Sequence, residues 1–136
     1  MQDDPARAED VRAWLARARL DLEAGGFEMG NPALYFDVAF HAQQAVEKSF
    51  KAFLAWHDMP FPKTHDLERL GRACAQIAPS LGAVVDEAVP LTEYAWRFRY
   101  PGEVEGPGRA EAEAALATAR RVYEAVLGQL PSGVRS

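Results

Sequence analysis

The chain has one cysteine, only three histidines and no apolar run that approaches the length of a membrane span, and each scarcity removes a class of function. A lone thiol, Cys74, leaves no internal disulfide and no cysteine zinc site. Its place in the apolar period of a helical segment predicts a buried, inert side chain. A phosphate-binding P-loop, a glycine fingerprint after a strand, a His-Glu-x-x-His pair and paired cysteines are all missing, so no metal and no cofactor is expected. Positive charge is short as well: 15 Lys and Arg against 20 Asp and Glu give a net charge of −5. That balance excludes a broad, sequence-independent nucleic-acid surface, which needs many cations to neutralise phosphates, but it allows a small local basic site. Arg7, Arg12, Arg17 and Arg19 alternate with Glu9, Asp10, Asp21 and Glu23 and read as a solvated helix surface. The opening residues, Met1-Gln2-Asp3-Asp4-Pro5-Ala6-Arg7, carry neither the basic nor the apolar region of a secretory signal, and the expected location is cytoplasmic.

What is present is helical periodicity. At 136 residues the chain fits one domain, residues 1–136 with a core over about 8–130. Val11, Trp14, Leu15, Ala18 and Leu22 predict an amphipathic helix over 8–24, stopped by Gly25-Gly26. Asn31 and Pro32 are a helix start, and no breaker follows until Pro60, so the second helix, to residue 58, is the longest. Its apolar residues cover more than one face, which makes it the central element. Thr64 is the expected cap of a third helix carrying Leu67, Leu70, Cys74 and Ile77, ended by Pro79. A fourth, over 81–98, contains Pro90 and should bend there. A loop over 102–108 precedes a last, alanine-rich helix with Leu116, Ala119, Val122, Tyr123 and Val126 on one side. No segment alternates like a strand. The expected fold is all-α, an up-and-down bundle of four to five helices.

Three patches carry the polar residues of interest. On the long helix Asp37, His41, Gln44, Lys48 and Lys51 share one stripe, with Gln43 and Glu47 as a second pair beside it. The stripe reads either as a solvent face or, because aromatics flank it, as the lining of a groove or subunit contact. His65, in Lys63-Thr64-His65-Asp66-Leu67, either fixes the corner before the third helix or takes part in acid–base chemistry. His57 suits a cation at a helix C-terminus. Arg99, in Arg99-Tyr100-Pro101-Gly102, is the arginine held by its neighbours to face a shared site.

Taken together, Ala42-Gln43-Gln44-Ala45-Val46-Glu47-Lys48-Ser49-Phe50-Lys51-Ala52, the Lys63-Thr64-His65-Asp66-Leu67 run and the Arg99-Tyr100-Pro101-Gly102 corner resemble the HEPN family (higher eukaryotes and prokaryotes nucleotide-binding). The resemblance implies a homodimeric bundle that partners a minimal nucleotidyltransferase in a toxin–antitoxin-type module. Many such proteins look like metal-independent ribonucleases, in which an arginine is followed four to six residues later by a histidine. This chain has no histidine after His65, so that Arg-x4-6-His motif is not intact, and Tyr100 cannot be assigned the family's nucleotide-accepting role by motif. The implied nucleotide or RNA phosphate site comprises Arg99, Lys48, Lys51, His65, His41 and Tyr100. Metal-free RNA cleavage needs a group titrating near neutrality and a cation for the phosphorane. The alternative is accordingly a metal-independent endoribonuclease toxin using Arg99 and His65. A third reading is a dimeric scaffold whose polar stripe sets subunit register.

Overall fold

A computed structural model describes residues 4–96 and 106–135. Among them the structure is all-α, with no strand. The described residues form five α-helices, α1 (Pro5–Glu28), α2 (Tyr35–Trp56), α3 (Leu67–Ile77), α4 (Gly82–Ala88) and α5 (Arg109–Gly128), with short 3-10 segments between α1 and α2 and between α3 and α4. The long helix α2 is the axis of the bundle. Val38, Ala42, Ala45, Val46, Phe50, Phe53 and Leu54 are all fully buried along it, because α1, α3, α5 and the segment Val89–Ala95 cover it from several sides. No described helix is long and apolar enough to cross a membrane.

Local chemistry explains most boundaries. Asp4 accepts from the Ala6 N–H at 3.0 Å and Pro5 occupies the first position, which starts α1. Asn31 caps as expected, accepting from the Ala33 N–H at 3.0 Å, but the turn it starts is 3-10, and α2 proper begins at Tyr35. The helix α2 ends in a Schellman turn: Asp58 sits in the left-handed region at φ 54, the Met59 N–H reaches Leu54 O at 2.9 Å and the Asp58 N–H reaches Ala55 O at 3.1 Å.

Other boundaries differ from the sequence expectation as well: α1 starts at Pro5 instead of residue 8, and α2 ends at Trp56 instead of residue 58. Gly25-Gly26 does not stop α1, which continues to Glu28. A Cβ on Gly25 would lie 3.0 Å from Leu116 Cδ1, so this glycine serves a close helix–helix approach to α5 inside a helix that tertiary burial sustains. The cap of α3 is Asp66, which accepts from Glu68 and Arg69 N–H groups; Thr64 turns the preceding corner by accepting from the Asp66 N–H. Pro90 does more than bend a fourth helix. The α-helix ends at Ala88 and the chain tightens into 3-10 from Val89 to Ala95, since proline supplies no N–H for the α pattern.

Cys74 is buried, as its spacing predicts, and burial pushes its thiol up to about 12, well away from a reactive thiolate. His57 does end α2, but the expected role as a cation there is not supported. Burial and the nearby Arg7 guanidinium hold its pKa below the usual imidazole value, so the neutral ring is favoured.

Candidate functional site

The polar residues of α2 resolve into two networks, each organised by a carboxylate. In the first, Glu47 is 4% exposed and sits one helical turn from both Gln43 and Lys51. Its two oxygens receive Lys51 Nζ at 2.8 Å, His65 Nδ1 at 2.7 Å and Gln43 Nε2 at 3.2 Å. Gln43, fully buried, also donates to the His65 carbonyl at 3.2 Å and accepts from Gln44 Nε2 at 2.6 Å. Lys51 Nζ lies 5.5 Å from the Trp14 ring centroid and 5.8 Å from that of Phe61, and the two rings meet edge to face. The corner before α3 is thereby tied to the centre of α2.

Burial raises the Glu47 carboxyl, but the hydrogen bonds from Lys51, His65 and Gln43 outweigh it and hold the group below the ordinary carboxylate value. Glu47 is therefore ionised at neutral pH and can only accept. It follows that His65 Nδ1 carries the proton it donates to Glu47, and in the neutral ring the lone pair is on Nε2. The His65 side chain is 58% exposed, whereas the Glu47 side chain that orients it is 6% exposed.

The second network lies between α1 and α2. Asp21 accepts from Lys48 Nζ at 2.7 Å and faces His41 Nδ1 at 2.9 Å, while His41 Nε2 lies 3.5 Å from Glu28 Oε1. The hydrogen bond to Asp21 raises the His41 pKa above the ordinary imidazole value; burial opposes this, and the charges of Glu28, Asp21 and Asp37 add to it. Burial in turn raises the Glu28 carboxyl.

The candidate residues thus fall into two groups. Lys51 and His65 are brought together through Glu47, and Lys48 and His41 through Asp21, so the stripe feeds two separate carboxylates. Arg99 and Tyr100 lie outside the described residues. Both lysine ammonium groups are ion-paired, Lys51 with a side chain 10% exposed and Lys48 with one 19% exposed. Asp21, one of the acids interleaved with the arginines of α1, is itself buried, at 8% exposed. Its position three residues after Ala18 and six after Leu15 puts it at the edge of the apolar face, a periodicity that could have identified it. Trp14 is legible in the sequence only as an apolar residue of the first helix, and Phe61 carries no signal there of its contact with Lys51. No group of three metal-ligating side chains is found among the described residues.

A helical bundle whose central helix carries such carboxylate-centred networks is the class of protein in hand, and comparison fixes the family. Residues 11–129 match the HEPN domain, and the chain belongs to the HEPN family. It is also similar to the protein TT1696 of Thermus thermophilus, known from a crystal structure, with 28% sequence identity and a TM-score of 0.78 over 88% of this chain and 98% of that one. No curated protein matches the chain.

Proposed function

We propose that this HEPN protein works as a dimer, as the partner of a minimal nucleotidyltransferase in a toxin–antitoxin-type module, and offers a nucleotide or RNA phosphate a site drawn from Arg99, Lys48, Lys51, His65, His41 and Tyr100. The observation that carries the reading is the missing histidine after Arg99 in a chain that otherwise matches the family over most of its length. Without it the usual acid–base pair has no proton acceptor at its usual place. Large apolar side chains left exposed, Phe27 at 88%, Leu20 at 63% and Trp96 at 51%, favour a role in protein contacts. Co-expression with a nucleotidyltransferase encoded beside it, followed by size-exclusion chromatography with light scattering, tests the proposal. A co-purifying complex built on a dimer is expected; a monomer that never associates with the transferase would count against it.

The endoribonuclease reading keeps one specific support, the buried Glu47 carboxylate that orients an exposed His65 ring. Incubation with tRNA and total RNA, with Arg99→Ala as the control, separates the two. Cleavage that requires Arg99 favours the enzyme, and its absence leaves the binding protein.

A further inference from the structure

The three histidines differ in the property that decides what an imidazole can do, namely which ring nitrogen is open. In His41 both nitrogens face carboxylates, Nδ1 at 2.9 Å from Asp21 and Nε2 at 3.5 Å from Glu28. His57 lies with its ring centroid 4.5 Å from that of Phe53, with the Arg7 guanidinium among the charges that act on it and, among the described residues, no carboxylate hydrogen-bonded to either nitrogen. Among the described residues, His65 alone has a carboxylate on one nitrogen and no hydrogen-bond partner on the other: Glu47 takes Nδ1–H at 2.7 Å, and the side chain is 58% exposed. This is the arrangement of an activated nucleophile, in which a base-side partner fixes the tautomer and offsets the positive charge that develops on the ring.

We propose that Nε2 of His65 is an acceptor site for a phosphoryl group delivered by a phosphoramidate or acyl-phosphate donor. The proposal goes beyond the partnership described above and needs no transferase. In the step, the Nε2 lone pair attacks phosphorus and a nitrogen–phosphorus bond forms. The bond from phosphorus to the donor's nitrogen or oxygen breaks, and its electron pair leaves with ammonia or with the carboxylate. The ring becomes an imidazolium whose Nδ1–H remains on Glu47, so the carboxylate neutralises the new charge without any group having to move. Lys51 balances Glu47 from its other oxygen at 2.8 Å, which keeps that carboxylate in place. Lys63, two residues before His65, is exposed and has no ion-pair partner among the described residues, so a cation is available locally for the incoming dianion. A phosphoryl group suits this nitrogen better than an acyl group because N-phosphoryl imidazole survives long enough to be passed on, whereas N-acyl imidazole hydrolyses.

The test treats the full chain with potassium phosphoramidate at neutral pH, follows acid-labile adducts by phosphorus NMR and intact mass, and maps them by peptide sequencing. His65 is expected to be labelled first and fastest, well ahead of His41 and His57. In Glu47→Gln, checked for fold by circular dichroism, the rate should fall about ten- to hundredfold, as for loss of a hydrogen bond to a charged group. No adduct on His65, or equal labelling of the three histidines, would overturn the proposal; both readouts come from the unmutated protein and stand even where Glu47→Gln fails to fold. An unchanged rate in a folded Glu47→Gln would likewise refute the part assigned to Glu47.

Discussion

Replacing Glu47 with alanine removes the acceptor that holds Lys51 Nζ at 2.8 Å, His65 Nδ1 at 2.7 Å and Gln43 Nε2 at 3.2 Å. The Lys51 side chain is 10% exposed, so its ammonium group is left with little water and no counter-ion. Breaking a buried pair by removing one partner costs about 3–5 kcal/mol. The Trp14 and Phe61 rings still attract the cation, which offsets about 0.5–2 kcal/mol and places the expected loss near 3 kcal/mol. That is a large part of the roughly 5–15 kcal/mol that stabilises a domain. The double substitution Glu47→Leu with Lys51→Met removes both charges and keeps the volume, and it should return stability to within about 1 kcal/mol of the parent or above it. Urea unfolding followed by far-UV circular dichroism measures both. A Glu47→Ala loss below about 1 kcal/mol, or a double variant as unstable as the single one, would refute the reasoning. The pH dependence gives a second check. Because the folded carboxyl lies below its ordinary value of 4.5, its contribution is complete above that pH and is lost as pH falls through the lowered folded value, a slope that Glu47→Ala should flatten.

Other perturbations follow from the same structure. The raised His41 pKa means that its contribution is full below the ordinary imidazole value of 6.5 and is lost as pH rises through the folded value; His41→Asn should remove that slope in thermal melts taken across neutral pH. His57, whose folded pKa is lowered, tilts the parent profile the opposite way, so the comparison is between variant and parent rather than within the parent. Phe50→Ala, at a fully buried position of α2, should cost about 3–5 kcal/mol in urea unfolding, and a loss under about 1 kcal/mol would mean that the ring is not packed. Asp58→Gly, at φ 54, should raise stability by about 0.5–1 kcal/mol by relieving the left-handed backbone; a net loss would show that the 3.9 Å contact with Arg7 outweighs the strain.

How far the sequence discloses this molecule depends on whether a feature is local. The Asn31-Pro32 start, the apolar stripe of α3 and the burial of Cys74 follow from neighbouring residues and are visible in the order of the chain, whereas the apolar period places the first helix only from residue 8 and passes over its start at Asp4-Pro5. Gly25-Gly26 misleads because the same residues that end an isolated helix also permit the close approach of α5, and only packing decides between them. The site is divided in the same way. Helical spacing sets Gln43 and Glu47 as a pair beside the stripe that holds Lys48 and Lys51, but that His65 closes onto Glu47, and that Asp21 rather than Glu47 takes Lys48, depends on contacts between residues 18 and 27 positions apart. An aspartate among alternating surface charges looks solvated in any local window. Its burial is a property of the α1–α2 interface.

The central claim is that a buried, ionised Glu47 fixes the tautomer of His65 and leaves Nε2 open. Long-range proton–nitrogen correlation NMR on nitrogen-15-labelled protein, recorded at alkaline pH, reads this directly. The account predicts a His65 with its proton on Nδ1 and an unprotonated Nε2, shifting toward the ordinary mixture in Glu47→Gln. A His65 protonated on Nε2, or a tautomer balance indifferent to Glu47, would contradict it.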